Sequence, residues 1–226
     1  MIQVRIHNQQ YGSTKVLKNI HLDFLAGHVY GIVGENGAGK TTLFRCIAGL
    51  ENFDGEVISE YIPLKNHLGL LLTEPYFFSK ITGEEYIRLL CNARGVSISN
   101  IGERNIFDLP LHQYASTYST GMKKKLAITA ILLQDNKYFI LDEPFNGIDI
   151  QSNMILTEII HTLKRLDKIV IISSHIFSTL SDTCDQIHLL KRGEQVRSVQ
   201  RDEFKELEEE MKVFTIGDKI EKLGLR

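Results

Sequence analysis

Gly34-Glu35-Asn36-Gly37-Ala38-Gly39-Lys40-Thr41 reads G-x-x-x-x-G-K-[ST], the pattern of a phosphate-binding loop. His28-Val29-Tyr30-Gly31-Ile32-Val33 runs ahead of it, apolar and β-branched like a buried strand. Thr42-Leu43-Phe44-Arg45-Cys46-Ile47-Ala48-Gly49-Leu50 runs behind it, with apolar residues at helical spacing and a glycine near the stop. The glycines Gly34, Gly37 and Gly39 let the backbone curl, so that successive N–H groups across Glu35, Asn36, Ala38 and Thr42 point at phosphates. Lys40 is placed to reach β- and γ-phosphates, and the Thr41 hydroxyl to ligate Mg²⁺. The helix opening there adds its positive end to the same anion site. By itself the pattern also fits a glycine-rich strand-to-helix turn; the strand before and helix after favour nucleotide.

The totals agree with one large domain, or one domain carrying an inserted subdomain. The chain has 226 residues, 43% of them hydrophobic, which is ample for a packed core. Lys and Arg number 26 and Asp and Glu 28, for a net charge of −2, so nucleic acid is not expected as a main partner. Cys46, Cys91 and Cys184 are widely spaced and odd in number, which suits small hydrophobes in a reducing compartment better than a disulfide frame or metal cluster. The opening Met1-Ile2-Gln3-Val4-Arg5 lacks a secretory leader, and no apolar stretch approaches the ~20 residues of a membrane helix. A soluble, cytoplasmic protein is expected, one that docks on a membrane protein rather than crossing the membrane.

Other stretches fall around the loop. Residues 2–6 alternate like a half-exposed strand, residues 8–13 read as a turn, and residues 20–24 alternate again. Tyr11 in that turn is either a surface tyrosine on a sheet edge or a flat platform for a purine. Residues 68–72 read as a buried strand, residues 76–114 as a helical insertion, and residues 150–166 as an amphipathic helix with apolar positions at Ile155, Ile159, Ile160 and Leu163. Tyr118-Ser119-Thr120-Gly121-Met122 opens a helix whose first turns carry Lys123, Lys124 and Lys125, against the dipole preference, so this helix start gains from an anion. The strand Tyr138-Phe139-Ile140-Leu141 ends in Asp142-Glu143-Pro144, where an α/β sheet places its ligand crevice. That pair is either a cap or turn, or the groups that hold Mg²⁺ and orient attacking water. Residues 168–175 form a buried strand tipped by His175, either a capping histidine or one facing the same crevice. The Glu- and Lys-rich tail from Arg201 reads as a solvated helix and a short end strand, without chemistry.

With these motifs in order, the chain resembles the nucleotide-binding subunit of the ATP-binding cassette (ABC) family over essentially its full length. The resemblance rests on residues 34–41, Ser119-Thr120-Gly121-Met122-Lys123, Phe139-Ile140-Leu141-Asp142-Glu143-Pro144, Asn146-Gly147-Ile148-Asp149 and Ser173-Ser174-His175. It implies an α/β P-loop NTPase core, a mostly parallel sheet with helices on both faces, carrying an N-terminal antiparallel β-subdomain and an inserted helical subdomain. Residues 1–75 and 136–200 would form the core with its β-subdomain, residues 76–135 the helical insertion and residues 201–226 a tail.

The resemblance also implies ATP and Mg²⁺ as ligands and a head-to-tail dimer with two ATP molecules between protomers. Each ATP would meet Ser119 and Gly121 of the other protomer. Asp142, Thr41 and, in the family's Gln position, Thr73 would hold Mg²⁺, Glu143 would deprotonate the attacking water, and His175 would contact the γ-phosphate. Asp149 would contact the partner near its loop, and Tyr11 would stack on adenine. Where the family usually carries Gln, this sequence has Thr73, followed by Glu74, so the coupling of hydrolysis to partner movement is the least secure carry-over. Ser-x-Gly-Met followed by basic residues is similar to exporter-type systems whose ATPase is a chain separate from the permease. The expectation is an ATPase subunit, as a homodimer or paired with a related cassette, peripheral on the inner face of the cell membrane. The rivals are a soluble cassette ATPase, as in metal-cluster assembly, and a nucleotide-gated module with little turnover.

Overall fold

The computed structural model describes residues 1–216. Among them the strands are β1 (Ile2–Tyr11), β2 (Thr14–Phe24), β3 (His28–Val33), β4 (Asp54–Ser59) and β5 (Leu68–Leu71). They continue with β6 (Tyr138–Asp142), β7 (Ile169–Ser173), β8 (Gln186–Lys191) and β9 (Glu194–Gln200). The helices are α1 (Lys40–Ile47), α2 (Gly83–Asn92), α3 (Thr120–Leu132), α4 (Ile150–Arg165), α5 (Phe177–Thr183) and α6 (Phe204–Ile216).

A three-stranded antiparallel sheet runs β2-β1-β4, and a six-stranded sheet runs β5-β6-β7-β3-β8-β9. The larger sheet is parallel except for the β8–β9 hairpin. Its central strands β6 and β7 are buried at every residue, as a sheet covered on both faces requires. Side chains alternate between two cores. Val29 and Val33 of β3 face the side covered by α2–α6, whereas Tyr30 and Ile32 face α1 and the small sheet. Ile2, Val4 and Ile6 alternate along β1 onto the second core, where Leu43 and Phe44 of α1 are fully buried. Each such side chain contributes roughly 1.5–3 kcal/mol. This packing fixes the angle at which the phosphate loop leaves β3. Because β3, β5, β6 and β7 run parallel, their carboxyl ends open along one edge.

Several expectations need correction. The alternating strand at the front does not turn at residue 8 but pairs on to Tyr11, and the turn is confined to Gly12-Ser13. The insertion is less helical than expected: beyond α2, residues 93–119 are loop broken by short 3₁₀ turns at Ile101–Arg104 and Ala115–Thr117. On α4 the core face is Leu156, Ile160 and Leu163, while Ile155 stays 38% exposed. The helix after Arg201 is not merely solvated, since Phe204 and Leu207 are buried in the core. The expected end strand lies outside the described residues.

Candidate nucleotide site

The loop after β3 owes its shape to different demands on its glycines. Gly39 caps α1 at φ 104°, a left-handed conformation that glycine reaches without strain. Gly34 has ordinary φ but lies so close to the Leu190 carbonyl of β8 that a side chain would collide with it. Lys40 opens α1 and is buried, and its Nζ donates to the Gly34 carbonyl at 2.7 Å and to the Glu35 carbonyl at 3.3 Å. Burial pushes the Lys40 pKa down, opposed by the carboxylates of Glu143 and Asp142. An arriving phosphate would offset that desolvation.

Asp142 ties the strand ends together. It is 1% exposed; its Oδ2 accepts from Thr41 Oγ1 at 2.6 Å and Thr73 Oγ1 at 2.7 Å, and its Oδ1 accepts from Ser173 Oγ at 2.6 Å. Thr73 therefore sits at the site, whereas Glu74 is exposed outside it. Glu143, next in the chain, has φ 51°, a left-handed conformation unusual for a residue with a side chain. Its N–H donates to Ser173 Oγ at 2.9 Å, and its Oε2 lies 2.8 Å from His175 Nδ1.

These groups line one open cavity of about 670 Å³, within the range of small-molecule sites. The loop contributes Asn36, Gly37, Gly39, Lys40, Thr41 and Thr42; Thr73, Asp142, Glu143 and His175 close the strand-end side. Tyr11, 44% exposed, stands at the far side beside Val16. Gly34, Glu35 and Ala38 face a second cavity of about 290 Å³ behind the loop, bordered by Leu190 and Met211.

Ser119, Gly121 and Asp149 line neither cavity. Ser119 is the N-cap of α3 and accepts from Met122 N–H at 3.2 Å. Gly121 packs against the loop after β6, where a Cβ would stand 2.5 Å from the Gly147 carbonyl oxygen. Asp149 caps α4, accepting from Ser152 N–H at 2.9 Å, and pairs with Lys125 Nζ at 3.0 Å. Those hydrogen bonds, led by the Ser152 amide, hold its carboxyl well below the usual range.

Two of the three lysines at the start of α3 are not open to an anion. Lys124 is 2% exposed and donates at 2.8 Å to each of the Glu143 and Asn146 carbonyls, while Lys125 is taken up by Asp149. Sequence reasoning missed Lys124 and Ser173 as site-forming residues. The polar tip of an apolar strand, Ser173-Ser174-His175, was the available signal for Ser173; a triple lysine gives none for which member is buried.

Comparison with known proteins agrees with this fold. Residues 17–146 match the ABC transporter family. The bacitracin transport ATP-binding protein BcrA of Enterococcus faecalis is 32% identical over 96% of this chain and 75% of its own. The lantibiotic transport ATP-binding protein SrtF of Streptococcus pyogenes is 29% identical over 92% of this chain and 95% of its own. Among solved structures, the ATP-binding subunit of an ABC transporter superposes with a TM-score of 0.80 at 25% identity, covering 92% of this chain and 93% of that one. A dimeric cassette in a post-hydrolysis state, bound to ADP and Pi, gives a TM-score of 0.80 at 19% identity over 89% of this chain and 99% of that one, a likeness of fold.

Proposed function

We propose, on the premise that this chain belongs to the ABC transporter family and is an ATP-binding, ATP-hydrolysing cassette of it, that two cassettes close head to tail over two ATP molecules and drive a separately encoded permease. One observation carries the reading. A single chain gathers the phosphate loop, Asp142, Glu143 and His175 in one cavity, while Ser119 and Gly121 do not line it. A second cassette is what brings those two to a nucleotide.

In this reading the loop N–H groups and Lys40 hold the phosphates, with Lys40 exchanging the Gly34 and Glu35 carbonyls for phosphate oxygens. Glu143 accepts the proton of the attacking water. His175, 2.8 Å away, holds that carboxylate in place and meets the γ-phosphate. Tyr11 offers its ring to adenine. Asp149 meets the partner near its loop. At the closing interface the Ser119 hydroxyl, the Gly121 N–H and the positive end of α3 take the γ-phosphate of the partner's ATP.

The residues around Asp142 fit Mg²⁺. Thr41, Thr73 and Asp142 offer only oxygen, converge within 2.7 Å and face the cavity. When bound there, Mg²⁺ neutralises charge developing on the phosphates.

Among the described residues no helix is long and apolar enough to cross a membrane. An exposed aromatic pair, Tyr76 and Phe78 with ring centroids 5.5 Å apart, supports the insertion as the surface that meets a permease at the inner face of the membrane. Relatives named for bacitracin and lantibiotic transport support the transporter reading over a soluble ATPase. The test is the oligomeric mass of Glu143→Gln with Mg-ATP, with Mg-ADP and without nucleotide. A dimer formed only with Mg-ATP supports the shared site; a monomer in all three conditions removes it.

A further inference from the structure

The ammonium of Lys124 sits where the mechanism above gives it no role. It belongs to the second turn of α3, the helix capped by Ser119, and is 2% exposed. Lysine is almost never this buried without a reason. Its Nζ reaches two neutral acceptors in the next loop, the carbonyls of Glu143 and Asn146, at 2.8 Å each.

That loop needs holding. Glu143 keeps a left-handed backbone, φ 51°, which a residue with a side chain retains only when its surroundings over-determine it. The constraints are a bond at each side of the residue: Ser173 Oγ takes its N–H, and Lys124 donates to its carbonyl. Asn146 N–H also donates to the Glu143 carbonyl at 3.2 Å, so Lys124 clasps both ends of one turn. Gly121 packs on Gly147 of the same loop, leaving no room for a Cβ, and Lys125 pairs with Asp149 at its end. The start of α3 and residues 143–149 are thus one packed unit.

We propose that Lys124 is a positioning residue for ATP hydrolysis, fixing the backbone of residues 143–146 and through it the Glu143 carboxylate, so that the Ser119 end of α3 and the hydrolytic end of β6 move together. The inference rests on Glu143 as the group that takes the water's proton. In a head-to-tail dimer it links the two nucleotides. The helix start that meets the partner's ATP is fastened to the glutamate serving the chain's own.

The test is steady-state hydrolysis of Mg-ATP by Lys124→Met and Lys124→Gln, with affinity for a fluorescent ATP analogue measured alongside and Glu143→Gln as reference. Methionine keeps the stem and removes all donors; glutamine keeps donors for one carbonyl. The expected result is a kcat at least tenfold lower for Lys124→Met, an intermediate kcat for Lys124→Gln, and KM and analogue affinity within twofold of wild type in both. Wild-type kcat in Lys124→Met overturns the proposal. So does a loss of kcat matched by an equal loss of analogue affinity, which is the mark of a collapsed site. If Lys124→Met does not fold, Lys124→Gln decides: lower kcat at unchanged KM supports the proposal and unchanged kcat overturns it. Failure of Glu143→Gln to lose turnover would instead sink the reading of Glu143, whatever Lys124 does.

Discussion

At the carboxyl ends of β3, β6 and β7, the polar groups are partnered within the chain: Asp142 by Thr41, Thr73 and Ser173, Glu143 by Ser173 and His175. At the start of α3 the inner side is equally well fastened, through Lys124 and Gly121, but Ser119 is exposed and, among the described residues, bonds only its own helix. The first region is complete in one copy; the second is built to a finished edge and then stops. Under the proposed reading, the difference teaches how one chain would bind nucleotide yet hydrolyse it only in company. The groups that hold and cut would be assembled in advance, and those that complete the charge cage would arrive with a second cassette.

The strongest way to break the comparison is to disable the finished half chemically without disturbing its packing. Glu143→Gln should retain ATP affinity and lose turnover by about 10²–10⁴-fold, the range of a general base. Normal turnover in single-cycle measurements would show that Glu143 is not the general base.

Gly121→Ala attacks the other half. Its methyl would press on the Gly147 carbonyl, at 2.5 Å in the present geometry. Stability should fall by about 1–3 kcal/mol, as for overpacked sites, and ATP-driven association should weaken while monomer nucleotide binding persists. Denaturant unfolding and sedimentation check the two parts separately.

Tyr11→Ala sharpens the comparison at the rim of the finished half. Loss of a base-stacking ring should cost about 1–3 kcal/mol of nucleotide affinity, read by calorimetry with ATP against inorganic triphosphate. Equal losses for both ligands would return Tyr11 to a surface role.

The smallest effect is expected at Asp149. Its carboxyl is held low in the folded chain, so its contribution is present above the ordinary carboxylate pKa of about 3.9 and lost as pH falls through the depressed value. The Tm gap between wild type and Asp149→Ala should stay constant from pH 7 to pH 5 and close in stronger acid. A gap independent of pH down to acid unfolding would dismiss the cap.

Much of this was legible in the sequence, for physical reasons that differ by region. The phosphate loop, β6 with Asp142-Glu143, and β7 with His175 are encoded locally: an apolar run, then polar residues at its end. Lys124 was not legible, because which of three consecutive lysines is buried depends on the loop that α3 packs against. On α4, apolar residues at 155, 156, 159, 160 and 163 fit two overlapping stripes, and only the sheet beneath decides that Leu156 is buried while Ile155 borders a surface groove with Ile106. Residues 93–119 carry glycines, a proline and many polar groups, without enough periodicity to tell loop from helix. Thr73 was read as a departure from the family pattern; its hydroxyl donates to Asp142 at 2.7 Å, at the strand-end side of the cavity.

The shared site is tested most directly by mixing two disabled cassettes, Lys40→Ala and Ser119→Glu. Head-to-tail pairing puts both lesions in one site of the mixed dimer and leaves the other with an intact Lys40 and an intact Ser119. The account predicts ATPase activity in the mixture well above the sum of the separate variants. Activity no greater than that sum, in a mixture shown to contain the mixed dimer, would contradict it.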